Sequence, residues 1–551
     1  METDWWTLVG SAFVYLLIFL IGIIGSKIAG RFISVSKHES NVIMVGHRSF
    51  GWFLSVCTIS ATYTGATAFV ATPERAFIKG VIRGALFGLC FNSVTILLTG
   101  LFFAAKTRQQ MKGVTFLEIY QNRYGNLFAS LFCVPSFICE LLAVSASLSI
   151  LGHALSVMAN INENISIITS AVIAISYTMF GGIFSVAYTD VIQLAFIFTG
   201  TIAAIPFVAN HQAFQPVPTN STSFWLGDWS ESVDFVPVLK EVDLYLSLVL
   251  GGIPWQTLFQ RIFACESEKT AKFSCLLSSL IAGILVLLPL TLGSMAKYSN
   301  WNLTDYGPLK ETDARNLLPL TFKYFCPHWV TFLGLGAVSA SAMSTADSCV
   351  LASASIFITN IYKAIIRKKA SERELLWALR LTILIVGITG CLLALLHTPI
   401  YILTMISADI AYIVSFPQLV CLLYYPKTNT YGGLAGYFVA VFLRFAGGDE
   451  TLKIPALFLY PGSFYNDDGG DGNLVMGFPV KTTAMICDLI VTIAVSKLTH
   501  FLYYQKNIIT QQMDFAKCFQ NDHNNKRNES EPVVLELQEQ TTSLMPNEIE
   551  K

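Results

Sequence analysis

Charged residues are scarce in this chain of 551 residues: Asp, Glu, Lys and Arg make up 13% of it, whereas hydrophobic residues make up 54%. A soluble globular protein of this size needs more polar surface than these residues provide. The shortage of charge therefore excludes a soluble protein and indicates that lipid surrounds most of the chain. The 35 basic and 36 acidic residues leave a formal net charge of -1. No overall field therefore favours nucleic acid or another polyanion as a partner.

Motifs of several other protein classes are also missing. The sequence has no Gly-rich phosphate loop, no nucleophile elbow and no zinc-protease motif, which argues against an enzyme. Its twelve cysteines lie mostly in apolar stretches and show no metal-type spacing. A channel is disfavoured because no repeated filter-like loop or pore-lining charge ring occurs. The first apolar run lacks a small-residue cleavage pattern, so we expect a retained anchor.

Long apolar runs are what the chain has in abundance. A run of roughly 18–25 apolar residues can cross a bilayer as one helix. The sequence therefore predicts an all-α membrane protein whose termini lie on opposite sides. About thirteen such runs occur, over residues 8–25, 51–70, 84–105, 127–158, 165–180, 191–209, 244–265, 271–295, 329–361, 375–396, 400–425, 431–445 and 482–504.

Basic residues in short loops predict the orientation, because Lys and Arg favour the cytoplasm. Lys27 and Arg31 follow the first run and Lys106 follows the third, which places the N-terminus outside and the C-terminus in the cytosol. The basic group at 75–83 disagrees with this phasing. Three glycosylation motifs fall in predicted external segments, whereas a fourth, at Asn528, falls in the cytosolic tail. The three predicted acceptors are Asn164, Asn220 and Asn302.

The pattern of runs predicts six regions. The last of them changes to a polar, Asn/Gln/Glu-rich composition that is typical of a disordered tail. The regions are the N-terminal end with its first helix and loop (1–47), a first five-helix repeat (48–209), an extracellular loop (210–243), a second five-helix repeat (244–425), two C-terminal helices with an extracellular loop (426–506) and the tail (507–551).

Helix breakers interrupt two of the apolar runs, at residues 61–67 (ATYTGAT) and 251–256 (GGIPWQ). A broken helix in lipid frees backbone groups that need partners, so such breaks persist mainly where they line a cavity or bind an ion. An ordinary packing kink is the alternative at each site. The breaks stand five spans apart, which favours two related repeats around a binding site.

A stretch of small residues and hydroxyls at 337–348 places Asp347 in the middle of a predicted span. An unpaired carboxylate there costs several kcal/mol, and sodium with oxygen ligands would offset that cost. Close helix packing is the alternative reading of Ser344 and Thr345. Other charges inside predicted spans should face protein or water, and for Arg380 and Asp488 we favour structural hydrogen-bonded pairs. These other charges are Glu140, Arg380, Asp409 and Asp488.

Several motifs in order resemble the sodium:solute symporter family. Residues 181–193 (GGIFSVAYTDVIQ) resemble its signature, and residues 251–261 (GGIPWQTLFQR), 334–348 (GLGAVSASAMSTADS), 415–419 (SFPQL) and 428–437 (TNTYGGLAGY) resemble its choline-transporting branch. The resemblance implies about thirteen helices in a LeuT-like 5+5 inverted repeat with two broken helices. It covers most of the chain but not the tail.

The resemblance also implies where sodium would bind. The main ion would be held by five residues on the first broken helix and on the span at 329–361, and a second ion position would involve Asp347, with Asp190 nearby. Dependence on chloride is implied as well. The five residues are Ala61, Thr64 and Ser341 through their carbonyl oxygens, and Ser344 and Thr345 through their hydroxyls.

The resemblance implies an aromatic box for choline, since ring faces attract a quaternary ammonium. The matching positions are Tyr63, Asn92, Ala143, Trp255 and Thr404. Only Tyr63 and Trp255 are aromatic, so we expect poor choline affinity unless Phe259 closes the box. Choline remains the first candidate for sodium-driven symport. A more polar organic solute is the alternative, because Asn92 and Thr404 offer hydrogen bonds, and a non-transporting sensor that keeps the fold is a third hypothesis.

Overall fold

The computed structural model describes residues 16–25, 27, 39–65, 67–111, 113–159, 161–216, 221–227, 235–449, 452, 454–466 and 473–504. The predicted acceptor Asn220, the motif at Asn528 and the predicted tail lie outside the described residues. The six predicted regions stay a prediction.

Helices make up nearly all of the described structure. They are α1 (Leu16–Gly25), α2 (Glu39–Val45), α3 (Trp52–Tyr63), α4 (Thr72–Lys79), α5 (Val81–Leu89), α6 (Thr95–Leu98), α7 (Ala104–Gln110), α8 (Glu118–Tyr124), α9 (Asn126–Ala159), α10 (Glu163–Ala209), α11 (Thr222–Leu226), α12 (Phe235–Gly251), α13 (Gln256–Ala264), α14 (Glu268–Tyr298), α15 (Leu317–Phe325), α16 (His328–Ile356), α17 (Glu372–Ala394), α18 (Ile400–Ile410), α19 (Phe416–Tyr424), α20 (Thr430–Ala446) and α21 (Val480–Tyr504).

Shorter elements connect or interrupt these helices. Turns of 3-10 helix cover Gly46–Arg48, Trp301–Leu303 and Glu311–Asn316, and π-helical segments cover Thr67–Ala71, Cys90–Val94, Thr99–Phe103, Phe357–Ile366 and Ala411–Ser415. Strands β1 (Phe464–Asn466) and β2 (Asn473–Val475) pair antiparallel, with Phe464 opposite Val475.

The helices confirm an all-α membrane protein. Nine helices in the described part of the chain are long and apolar enough to span a bilayer, and a tenth span results if the bent pair Trp52–Tyr63 and Ala68–Lys79 counts as one. Three shorter apolar helices are Leu16–Gly25, Glu163–Ser176 and Thr430–Ala446. The long helices expose large apolar side chains such as Leu280 and Leu392, as contact with lipid requires. Thirteen spans stay the prediction of the sequence.

Gly182 divides α10 into two apolar segments. Its φ of 56° lies in the left-handed region, where a side chain is disfavoured. A Cβ there would also lie 2.6 Å from the carbonyl oxygen of Ile43. The chain thus turns sharply between the predicted runs 165–180 and 191–209, at the start of the motif that resembles the family signature.

Helix α16 lies at the centre of the bundle, against α9, α10 and α3. Every residue from Gly334 to Ile356 is buried. Its many Ala, Ser and Gly residues allow neighbouring backbones to approach closely, which is how helices associate where lipid removes the hydrophobic drive. Small hydroxyl side chains therefore lie in the centre of the fold, beside apolar ones such as Met343 and Leu351.

Both predicted breaks are present. Helix α3 ends at Tyr63, and helical structure resumes at Ala68. The segments Trp52–Tyr63 and Ala68–Lys79 are bent by 49° relative to each other. Helix α12 ends at Gly251, and Trp255 has an extended backbone before α13 begins at Gln256. Pro254 lacks an N–H and cannot continue a helical ladder, which explains the second break.

Candidate solute and ion site

A narrow cavity of about 30 Å³ lies between the second break, α9, α16 and α18. Its wall is mostly apolar. A few hydroxyl side chains and the non-helical backbone of the second break also contribute to it. The lining residues are Phe91, Cys139, Ala143, Ala146, Gly251, Gly252, Pro254, Trp255, Thr345, Leu403, Thr404, Ser407, Ala408 and Ala411.

Three aromatic rings meet at one side of this cavity. The rings of Tyr63 and Trp255 pack edge to face with centroids 4.8 Å apart. The ring of Phe91 lies 6.3 Å from that of Trp255 and 6.2 Å from that of Tyr63. Phe91 and Trp255 line the cavity, and Tyr63 is buried against both. The three rings form an apolar corner with negative ring faces.

Phe91 occupies the place that the sequence assigns to Asn92. Asn92 is fully buried, donates to the carbonyl of Gly88 at 2.7 Å and does not line the cavity. The π-helical segment Cys90–Val94 changes which residue of this stretch faces inward, because its turn holds more residues than an α-helical turn. The described cavity is thus lined by Phe91 rather than by Asn92, and a role of Asn92 in solute binding stays a prediction.

Of the other residues predicted for the aromatic box, some line the cavity and one does not. Ala143 and Thr404 line the cavity as expected, and Thr404 donates its hydroxyl to the Ile400 carbonyl at 3.1 Å. Phe259 does not reach the cavity, because it stacks on Phe116 with centroids 5.2 Å apart. Trp255 instead lines the cavity as the N-cap residue of α13.

The first break lies directly against the hydroxyls of α16. A Cβ at Gly65 would lie 1.5 Å from Thr345 Oγ1 and 2.9 Å from the carbonyl oxygen of Ser341. Thr345 Oγ1 donates to the Thr62 carbonyl at 3.0 Å. Glycine is required here because no side chain fits between the break and α16. The contact brings together the predicted ion ligands Ser341 and Thr345 with the segment that holds Ala61 and Thr64.

The donor set at this contact fits sodium. Carbonyl oxygens and neutral hydroxyls are ligands that a hard cation prefers. Ala61, Thr64, Ser341 and Thr345 are all buried. The hydroxyl of Thr64 donates to the Ser60 carbonyl at 2.6 Å, and the resemblance to the family implies the carbonyl of Thr64 as the ligand.

Ser344 faces a different partner. Its hydroxyl donates to Asp190 Oδ1 at 2.5 Å, and Thr58 donates to Asp190 Oδ2. Asp190 also lies 3.5 Å from Nη2 of Arg261. Asp347 instead accepts from Thr178 Oγ1 at 3.0 Å. The two carboxylates predicted for a second ion thus have different hydrogen-bond partners.

Arg261 is a site residue that the sequence reasoning missed. It is fully buried and donates to Thr58 Oγ1 at 3.1 Å and to the Thr257 carbonyl at 2.9 Å. A buried guanidinium is costly unless it is paired, and Asp190 provides the pairing. The sequence contains one signal for this residue: an arginine ends the motif GGIPWQTLFQR, ten residues after its first glycine.

Glu140 lies on α9 beside the cavity wall and is also fully buried. Oε1 accepts from the backbone N–H of Thr257 at 2.9 Å, and Oε2 accepts from its hydroxyl at 2.7 Å. The carboxylate therefore ties α9 to the helix that follows the second break.

The remaining intramembrane charges are held by protein groups. Asp488 accepts from Gln418 Nε2 at 2.6 Å, and Arg380 lies 5.4 Å from the Trp377 ring centroid. Asp409 pairs with Arg444 at 2.7 Å and opens onto a second cavity of about 550 Å³. Many side chains around that second cavity are charged.

The two described glycosylation motifs differ in setting. Asn302 is exposed in the turn Trp301–Leu303. Asn164 is exposed at the first turn of α10, and its Oδ1 lies 3.0 Å from His397 Nε2.

Two broken helices that meet at a small central cavity, beside a set of buried oxygens whose chemistry fits sodium, are typical of a broken-helix secondary transporter. The sequence profile of the family described as "Sodium:solute symporter family" matches residues 43–440. The chain belongs to the sodium:solute symporter family, whose members are transporters and not enzymes.

Relatives from several animals cover most of the chain. The high affinity choline transporter 1 of Homo sapiens is 37% identical, over 89% of this chain and 84% of that protein. The high-affinity choline transporter 1 of Caenorhabditis elegans is 35% identical, over 93% of this chain and 88% of that protein. The sodium/proline symporter of Haemophilus influenzae is 22% identical, over 68% of this chain.

A solved structure shares the fold. A Na+-coupled sialic acid symporter in a substrate-bound outward-open state matches with a TM-score of 0.72 at 16% identity, over 90% of this chain and 98% of that chain. The likeness confirms the LeuT-like fold expected from the sequence.

Proposed function

We propose that the protein carries choline together with sodium by alternating access, and that Thr345 couples the two. Thr345 belongs to both sites: it lines the cavity, and its hydroxyl touches the first break at the Thr62 carbonyl. Sodium bound between the break and α16 would hold these segments together and complete one wall of the cavity. Sodium would thus favour the state that binds the solute, as differential affinity requires.

The ring cluster supports choline over a more polar solute. Phe91 adds a third ring beside Tyr63 and Trp255, and each ring is worth about 0.5–2 kcal/mol toward a quaternary ammonium. The polar alternative has less support because Asn92 is not among the residues that line the cavity. The relatives named as choline transporters agree with this assignment.

The driving force would be the sodium gradient together with the membrane potential, at about 2.3 kcal/mol per charge per 100 mV.

We place the N-terminus outside and the C-terminus in the cytosol, as the basic loops suggest. We propose that the second cavity is the outer vestibule, because lining residues such as Lys240 and Asp449 fall in the predicted external loops. We also propose dependence on chloride, as the resemblance to the family implies.

Uptake of radiolabelled choline in expressing cells tests the proposal. We expect uptake in sodium medium and its loss when lithium or N-methylglucamine replaces sodium, and a reduction when gluconate replaces chloride. A protein present at the surface that takes up no choline, but another organic solute with sodium, would overturn the substrate. Absence of any sodium-dependent uptake would favour the sensor hypothesis.

A further inference from the structure

Glu140 lies at the level of the cavity and behind its wall. Its neighbours on α9, Cys139 and Ala143, both line the cavity. Its hydrogen-bond partner Thr257 follows the lining residue Trp255 by two positions. The carboxylate is 0% exposed, and both of its oxygens accept a hydrogen bond from Thr257. A buried carboxyl group therefore stands beside the rings of the proposed choline site.

The groups that Glu140 satisfies belong to the first turn of α13. Trp255 is the N-cap of this helix and makes no side-chain cap hydrogen bond. The first N–H groups of a helix have no partner within it, and they carry the positive end of its dipole. In transporters with broken helices, such half-helix ends commonly face an anionic group of the substrate. In this chain the protein's own carboxylate holds that position.

Glu140 has no ion pair among the residues that the structure describes. Arg261, one turn further along α13, reaches the carbonyl of Thr257 but pairs with Asp190. Thr257 donates both of its hydrogen bonds to the carboxylate without cancelling its charge. The helix end and the hydroxyl stabilise the negative group, and a bound cation would complete its neutralisation.

We infer that Glu140 sets the substrate class of this transporter: it selects a cationic solute without a carboxylate and rejects a zwitterion. This inference rests on the proposed function and adds a specificity-determining residue to it. A solute carboxylate finds the end of α13 already satisfied and meets a like charge, which costs free energy in a buried site. An ammonium group held by Trp255 and Phe91 gains from the nearby negative charge.

Three competitors of similar shape separate charge from size. Choline carries a trimethylammonium and a hydroxyl, glycine betaine carries the same trimethylammonium and a carboxylate, and 3,3-dimethylbutan-1-ol replaces the nitrogen of choline by carbon. In the unmodified protein, choline should inhibit radiolabelled choline uptake at concentrations at least about tenfold lower than either of the others. This comparison needs no variant. Equal inhibition by all three would overturn the inference.

The variant Glu140→Gln removes the charge and keeps an oxygen that can accept from Thr257. We expect the inhibition constant of choline to rise about tenfold while that of 3,3-dimethylbutan-1-ol stays the same. The ratio between betaine and choline should narrow by the same factor. A structural role alone would lower the amount of protein at the surface and leave these ratios unchanged, which would contradict the inference.

Glu118→Gln is the matched control. Glu118 also accepts two hydrogen bonds, from the N–H groups of Val114 and Thr115, but it does not line the cavity or touch α13. Its variant should keep the selectivity of the unmodified protein. A failure of the proposed function can be distinguished from a failure of this inference. If the proposed function is wrong, the unmodified protein shows no sodium-dependent choline uptake at all.

Discussion

The hydroxyl of Tyr63 donates to the carbonyl oxygen of Gly252 at 2.9 Å, and this hydrogen bond joins the two broken helices. Tyr63 is the last residue of α3, and Gly252 follows the last residue of α12. Both partners are buried. Because the first break also contacts α16 at Thr345, a change at the ion site can reach the solute cavity through one short chain of contacts.

Tyr63→Phe should weaken coupling between the breaks while keeping the ring. The Gly252 carbonyl would lose its partner at a cost of about 1–3 kcal/mol. We expect the maximal rate of uptake to fall severalfold, with a smaller change in the choline concentration that gives half-maximal uptake. Uptake kinetics at saturating sodium, corrected for surface protein, measure both.

Tyr120→Phe controls for the loss of a buried hydroxyl. Tyr120 donates to the Ser415 carbonyl at 2.8 Å and does not line the cavity. This variant should lower surface protein without changing the kinetics per molecule. Equal kinetic losses in both variants would show that Tyr63 acts through stability alone.

Replacing both Ser344 and Thr345 by Ala should raise the sodium concentration for half-maximal uptake by about tenfold or more, because an oxygen contact to a charged partner is worth about 1.5–3 kcal/mol. Thr345→Ala alone should show most of the effect, since Ser344 faces Asp190. Sodium activation curves measure this. Ser353→Ala is the control, because its hydroxyl donates to Cys349 on the same helix. Unchanged activation in the double variant would refute the ion site.

Phe91→Leu should weaken choline binding by roughly 2- to 30-fold, because a ring face worth about 0.5–2 kcal/mol is lost. Competition binding on membranes measures the change. Phe259→Leu should lower the amount of folded protein, since Phe259 packs on Phe116, but should leave choline affinity unchanged. An affinity loss at Phe259 and none at Phe91 would reverse the assignment of the third ring.

Glycan should be found on one or more of Asn164, Asn220 and Asn302 and never on Asn528, if the termini are placed correctly. Asn302 is the best placed of the described acceptors, because it is exposed in a turn. A gel shift after treatment with peptide N-glycosidase, compared across Asn→Gln variants, measures this. Glycan at Asn528 would show that the orientation is inverted.

The sequence predicted the features that depend on composition and on local breakers. The apolar runs indicated the membrane helices, and Pro254 and the glycines at 251–252 indicated the second break. The hydroxyls and Asp347 at 337–348 favour an ion site, which stays a prediction. The motifs predicted the family, which the comparisons confirm. These features are local, so they can be read from short stretches of chain.

The sequence could not predict which residues of a helix face the cavity, because this depends on the local helix geometry and on distant partners. The π-helical segment Cys90–Val94 brings Phe91 rather than Asn92 to the cavity, and no residue in that stretch signals the extra turn length. The partners of Glu140 and Arg261 lie more than 70 residues away, on α13 and α10 respectively. Only the fold reveals that these charges stand beside the cavity and the proposed ion site.

Coupled transport itself is tested most directly with the purified protein in sealed liposomes. An inward sodium gradient should drive choline to a higher concentration inside than outside, and a sodium ionophore should abolish the accumulation. Thr345→Ala should need a higher external sodium concentration for the same initial rate of accumulation. Choline that only equilibrates across the bilayer, with or without a sodium gradient, would contradict the account.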